Sequence, residues 1–324
     1  MRGDAALLLL ADSRLPAGGH AHSGGVEEAV RLGTVTGTGD LARFLRGRLA
    51  TAGLVTAALA AAACELATAE NDAEDTTDNA AETVADTAPG SAPGSPARSG
   101  SAGREPGATR APEAPHTDGA AVGAADGAAL WRRLDAEADA RVASPAQREA
   151  ARTQGRLLLR TARPMWPSAA LDTLARALPE GPHHPVALGA AAASAGCTPR
   201  QAALAAAYTS VTAPATAAVR LLGLDPVAVH RLLAGLAPAF EDVARAACAS
   251  LDDAVPADEE SDEREPGQHA GFHSGHHPGH NSGRQPRRHA AWPARWHALP
   301  GHSAPALDLL AERHLTNPMK LFVS

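Results

Sequence analysis

Aromatic residues make up only 3% of this 324-residue chain, and a single tyrosine is present. That scarcity argues against wide sheets, which rely on aromatic and β-branched side chains to fill a pleated face. No stretch alternates apolar and polar residues over strand length, and the abundant alanine favours closely packed helices. Cysteine is scarce too: Cys64, Cys197 and Cys248 form no CxxC pair and no zinc-finger spacing. All three fall in Ala/Leu-rich helical patterns, which predicts buried free thiols and fits a reducing, cytoplasmic setting. Lys320 is the only lysine, and a net charge of −7 with pI near 6.1 gives no support to nucleic acid as a partner.

The long apolar runs of a membrane protein are also missing. The run over 49–64 is rich in Ala and Thr and falls short of the roughly 20 residues that cross a bilayer, so a buried bundle helix is expected there. The start, Met1-Arg2-Gly3-Asp4, places an acidic residue before a very short apolar run, which does not read as a signal peptide. Catalytic signatures are lacking as well: no P-loop, no GxGxxG after a strand, no HExxH and no GxSxG occurs. The cysteines are poor nucleophile candidates, because an apolar surrounding raises a thiol pKa. A helical hydrolase built on Cys or His lacks any paired base. His230 reads as a structural helix residue, and His183-His184 before Pro185 reads as a surface turn.

What is present is an all-α pattern, a single helical bundle broken by two long inserts. The helical parts are 1–69 and 128–251, with a C-terminal helix and tail over 303–324. The insert over 70–127 is rich in Ala, Asp, Glu, Thr, Gly, Pro and Ser, with Val84 and Val122 as its larger apolar residues. Such a composition buries too little surface to offset its ordering entropy and predicts disorder. The insert over 252–302 opens acidic, turns to Gly, His, Pro and Arg, and is expected to be largely disordered too.

Helices are expected over 5–11, 23–32, 40–67, 128–142, 145–162, 168–178, 185–195, 199–222 and 226–251. Ser144-Pro145-Ala146-Gln147 and Thr198-Pro199-Arg200-Gln201 have the order of a capping box with proline at the first helical position. Pro214 should kink or interrupt its helix, and Pro238 should bend the last long one.

Two motifs carry candidate chemistry. The first runs from Leu15-Pro16 through Gly18-Gly19, His20, His22-Ser23 and Gly24-Gly25 to Val26-Glu27-Glu28. Pro16 fixes one backbone angle, and the glycines permit conformations other residues resist. Ser23 is a candidate N-cap that would place Glu27 and Glu28 in the first turn. In an extended segment His20 and His22 would share one side, serving packing, a partner contact or a metal, although two ligands alone make an incomplete site.

The second motif is the histidine tract. His273, His276, His277 and His280 have HxxHHxxH spacing in a glycine-rich backbone, a donor set suited to Ni, Cu or Zn. The other reading is a polar linker that happens to be rich in histidine. Ordering a disordered chain around a metal would keep affinity modest, so at most weak nickel binding is expected, with no required cofactor.

The N-terminal block Leu7-Leu8-Leu9-Leu10-Ala11-Asp12-Ser13, with Leu15-Pro16, Gly18-Gly19, His22-Ser23 and Gly25-Val26-Glu27, closely resembles the urease accessory protein UreF family. The closing segment, 307–314 and then Lys320-Leu321-Phe322-Val323-Ser324, resembles that family's end. Gln154-Gly155-Arg156 and His183-His184-Pro185-Val186 resemble internal motifs in the same order. The resemblance spans the helical part and neither insert. The family usually has Tyr-Ser-Arg where this chain has Pro318-Met319-Lys320.

The resemblance implies a non-enzymatic, dimeric, all-α maturation factor. It would bridge UreD (also called UreH) and the GTPase UreG and support nickel delivery to the urease apoprotein. On it, Arg313, His314, Lys320, Leu321 and Phe322 are the expected UreD-facing surface, with an exposed Leu-Phe pair as anchor. His20, His22 and Ser23 would contribute to a partner-binding face. From a different class, the tract could make the protein a nickel-storage or metallochaperone factor.

Overall fold

The computed structural model describes residues 2–12, 14–16, 21–86, 118–252 and 292–323. Among these residues the protein is helical, with no strand. In chain order the helices are α1 (Arg2–Ala11), α2 (Val26–Arg31), α3 (Thr38–Arg48), α4 (Leu54–Asp86), α5 (Asp118–Ala140), α6 (Pro145–Met165) and α7 (Ala169–Ala177). They continue with α8 (His184–Ser194), α9 (Pro199–Leu222), α10 (Pro226–Gly235), α11 (Ala237–Asp252), a short α12 over 292–297, and α13 (Pro305–Leu315). A π-helical turn, Leu49–Gly53, joins α3 to α4.

The centre of the bundle is α4, which packs on α8, α9 and α11. Every residue from Ala57 to Cys64 is buried, as a helix enclosed by others on all sides requires. Alanine makes this tight packing feasible. At Gly189 of α8 even a methyl group would lie 2.2 Å from the Ala60 carbonyl oxygen, so the two backbones touch. The 49–64 run is thus a core helix, as its composition suggested. The thiols are free as expected, with Cys64 and Cys197 buried and Cys248 partly so; burial pushes the Cys64 thiol up to about 12.

Helix starts follow the local code. Thr198 forms a complete capping box with Gln201, and Asp225 accepts the amides of Val227 and Ala228. Ser144 caps α6 by accepting the Gln147 amide at 3.1 Å, but the Gln147 side chain instead donates to Asp308 of α13. The Ser144 hydroxyl also donates to Glu312, tying α6 to α13.

Several expectations need correcting. Pro214 does not interrupt α9, because the Ser210 carbonyl it leaves without an amide is taken by Arg48 Nε at 2.7 Å. The expected last long helix is two helices parted at Leu236, with Pro238 in the first turn of α11, where a missing amide costs no intrahelical bond. The first insert starts later than its composition suggested. Helix α4 continues to Asp86, and Glu70 and Asn71 are anchored by bonds from Trp131 Nε1 at 2.8 Å and the Ala170 amide at 3.2 Å.

The second insert ends earlier than expected. Trp292, Trp296 and Leu299 are buried, and the two indoles stack with centroids 6.3 Å apart. Arg141 donates to the carbonyls of Trp296, Leu299 and Pro300, and Arg295 pairs with Glu65 at 3.1 Å. The first insert also ends earlier than expected, since α5 begins at Asp118; residues 87–117 and 253–291, His20, and the His273, His276, His277 and His280 tract lie outside the described residues.

Candidate functional site

The N-terminal motif and the C-terminal tail meet. Gly24 and Gly25 adopt left-handed φ values of 59° and 89°, which turn the chain sharply into α2. That turn makes Gly25, not Ser23, the N-cap residue. Ser23 is fully buried and its hydroxyl has no hydrogen-bond partner, so its expected capping role is not realised. Glu27 and Glu28 do lie in the first turn of α2, but both are buried rather than solvated.

Their partners come from the other end of the chain. Glu27 accepts the main-chain amides of Leu321 at 2.6 Å and Phe322 at 3.2 Å. The Val323 amide donates to the Ala21 carbonyl at 2.8 Å. The Phe322 ring is buried, with the Arg220 guanidinium 5.2 Å from its centroid in cation–π contact. His314 is buried beneath the tail, with Nε2 3.2 Å from the Phe322 carbonyl oxygen and Nδ1 3.6 Å from Glu27. Glu28 is bonded by Arg31 Nε at 2.7 Å, and Arg313 Nε lies 3.7 Å away. The hydrogen bond from Arg31, then the nearby positive charges, hold the Glu28 carboxyl below the usual carboxylate range.

The tail therefore splits the expected Leu-Phe pair. Phe322 faces inward and is 7% exposed, whereas Leu321 is 77% exposed; the pair is not jointly exposed because the Glu27 bonds turn alternate side chains to opposite sides. Met319, Lys320, Val323 and Arg313 are exposed with Leu321. Among the site residues read from the sequence, Ser23, Arg313, His314, Lys320, Leu321 and Phe322 thus fall in one region. His22 is buried in the same loop and lines a cavity with His184. Sequence reasoning missed Glu27 and Glu28 as receptors of the tail, and Arg220 beneath Phe322. The one available signal was a pair of adjacent acids in a short helix with few other charges.

His183-His184 is not a surface turn. His183 is 1% exposed, its amide donates to Asp135 at 2.7 Å, and its Nε2 lies 3.0 Å from Asp139. Arg152 bonds both carboxylates, at 2.9 and 3.1 Å. Burial lowers the His183 pKa and pushes His184 down to about 4. Gly155 accounts for the proximity of the two internal motifs, since a methyl group there would sit 1.9 Å from the Pro182 carbonyl oxygen. His230 is on the surface, with Nδ1 2.8 Å from the Pro226 carbonyl oxygen. Among the described residues no three His, Cys, Asp or Glu side chains converge as a metal site.

The UreF family model matches residues 112–237. A urease accessory protein UreF from Mycobacterium sp. (strain JLS) is 42% identical over 241 residues, covering 74% of this chain and 83% of the relative. The UreF of Mycolicibacterium vanbaalenii is 39% identical over 249 residues, covering 77% and 87%. That of Mycobacterium tuberculosis (strain ATCC 25618 / H37Rv) is 34% identical over the same length and coverage.

Proposed function

The chain belongs to the UreF family of urease accessory proteins, and from that premise we propose a scaffold that carries no chemistry of its own. In this reading it acts as a homodimer in urease maturation, bridges UreD (UreH) and the GTPase UreG, and supports nickel insertion into the urease apoprotein. The observation that carries it is the docked tail. Glu27, Ala21 and Arg220 hold Leu321 to Val323 in one conformation, so Met319, Lys320, Leu321 and Val323 form a preshaped apolar rim with a cation. A surface already ordered loses less entropy on binding, and exposed apolar groups beside a charge suit a protein partner.

Deleting residues 318–324 tests this. Co-purification with a co-expressed UreD-type protein is expected to be abolished, while far-UV helical content is unchanged. Undiminished complex formation by the truncated protein would rule out the tail as the contact. The metal-storage reading rests on the histidine tract, and no described residue adds to it.

A further inference from the structure

A cavity of about 360 Å³, open on one side, lies between α4, α6, α8, α9 and α13. Its walls are mostly apolar, with Leu10, Val55, Leu59, Leu158 and Leu188 among them. Volume and lining fall in the range of small-molecule sites, which pair an apolar body with a few placed polar groups. The fixed cation at one end is Arg48, on the last turn of α3.

Arg48 is tied down without being neutralised. Nε donates to the Ser210 carbonyl at 2.7 Å and Nη1 to the Gly24 carbonyl at 2.9 Å, which locks the guanidinium in place. Among the described residues Nη2 has no hydrogen-bond partner, and no carboxylate lies within 4.0 Å. The other charged groups lining the cavity are already engaged. Arg141 pairs with Glu137, whereas Asp308 and Asp12 each accept from a neutral donor, the Gln147 side chain and the Arg14 amide, and keep their charge; neither lies within 4.0 Å of Arg48. His184 is neutral at pH 7, since burial pushes it down to about 4. Burial lowers Arg48 itself to about 10, the signature of a cation lacking a counter-charge.

The chain also widens to a π turn, Leu49–Gly53, directly after Arg48, and Gly53 admits Ser210 so closely that a methyl group would lie 3.1 Å from its hydroxyl. π turns occur often at functional sites.

We propose that this cavity binds a small carboxylate with an apolar body, its carboxylate on Arg48 and its hydrocarbon among the leucines. Guanidinium recognises carboxylate through charge-assisted hydrogen bonds, and the apolar walls discriminate against bare inorganic anions. The inference does not rest on which partner the tail contacts, although His314 and Phe322 beneath the tail also line the cavity.

Calorimetric titration of the full-length protein at pH 7 with octanoate, 1-octanol and inorganic phosphate tests it. Octanoate is expected to bind at least about tenfold more tightly than 1-octanol, the increment of a hydrogen bond to a charged group, and phosphate more weakly than octanoate. Arg48→Gln should erase the preference for octanoate over 1-octanol. Ala52→Phe, which keeps Arg48 and fills the cavity from a lining position, should abolish octanoate binding even if Arg48→Gln does not fold. Equal affinity for octanoate and 1-octanol, binding unaffected by Ala52→Phe, phosphate as tight as octanoate, or no octanoate binding would each overturn the assignment.

Discussion

The Glu27 carboxylate accepts the Leu321 amide at 2.6 Å, joining two residues 294 positions apart. Its second oxygen takes the next amide, that of Phe322, so one side chain satisfies two main-chain donors and sets the path of the tail. A tail held by a carboxylate differs from one held by apolar contact alone. Loss of the charge leaves Phe322's amide buried without a partner, which favours release of the segment.

Glu27→Ala is therefore expected to free the tail while leaving the bundle folded. Hydrogen bonds to a charged group contribute about 1.5–3 kcal/mol, enough to shift a local docking equilibrium by tenfold or more. Hydrogen exchange at 319–323 should accelerate, and capture of a UreD-type partner should weaken. Unaltered exchange in that segment would show that Phe322 and Arg220 hold the tail without Glu27.

Gly155→Ala should be severely destabilising. The added methyl group would meet the Pro182 carbonyl oxygen at 1.9 Å, and backbone cannot swing aside as a side-chain end can. A loss of about 3 kcal/mol is expected from such overpacking. Gly47→Ala in α3 has open space around it and should gain up to about 1 kcal/mol from helix propensity. Urea denaturation of both variants reads the contrast directly, and similar midpoints would contradict the close α6–loop contact.

Stability should fall on acidification through His184. Its folded pKa, about 4, lies below the ordinary 6.5, so the unfolded chain binds more protons between those values. Stability is then fully present above pH 6.5 and lost as pH falls toward 4. From pH 7 to 5 the loss from this group is up to about 2 kcal/mol. His183 adds in the same direction, since burial lowers it too. A His184→Gln variant should show a shallower decline in denaturation midpoint over that range; an identical slope would remove His184 from the acid response.

The second insert should be removable only in part. Deleting 255–290 is expected to leave the thermal midpoint near that of the full chain. Extending the deletion to 302 removes Trp292, Trp296 and Leu299 from the core, as well as the carbonyls bound by Arg141. Each buried tryptophan lost costs about 3–5 kcal/mol, so the longer deletion should abolish soluble folding. Equal midpoints for the two deletions would show that 292–302 contributes nothing.

Local chemistry was legible from residues close together in the chain. Thr198 to Gln201 signals a helix start because both halves of the capping box lie within one turn. The shortage of aromatics and strand alternation led to an all-helical bundle, and apolar patterning located the buried thiols. The same reasoning stopped too soon at residue 70 and ran too far at 292. Alanine-rich polar helix and disorder have similar composition, and two tryptophans in a Gly/His/Arg-rich stretch carry no periodicity of their own.

The sequence alone determined the helical class, the caps at Thr198 and Asp225 and the family, since these depend on composition and on short ordered motifs. Only the tertiary structure decided that Ser23 does not cap, that His183 is interior, and that Glu27 receives the tail. Each of those depends on groups far apart in the chain, such as Asp135 with His183 or Glu27 with Leu321. A residue's neighbours along the chain do not disclose the partner that desolvates it or completes its hydrogen bonds, because that partner arrives only when helices pack.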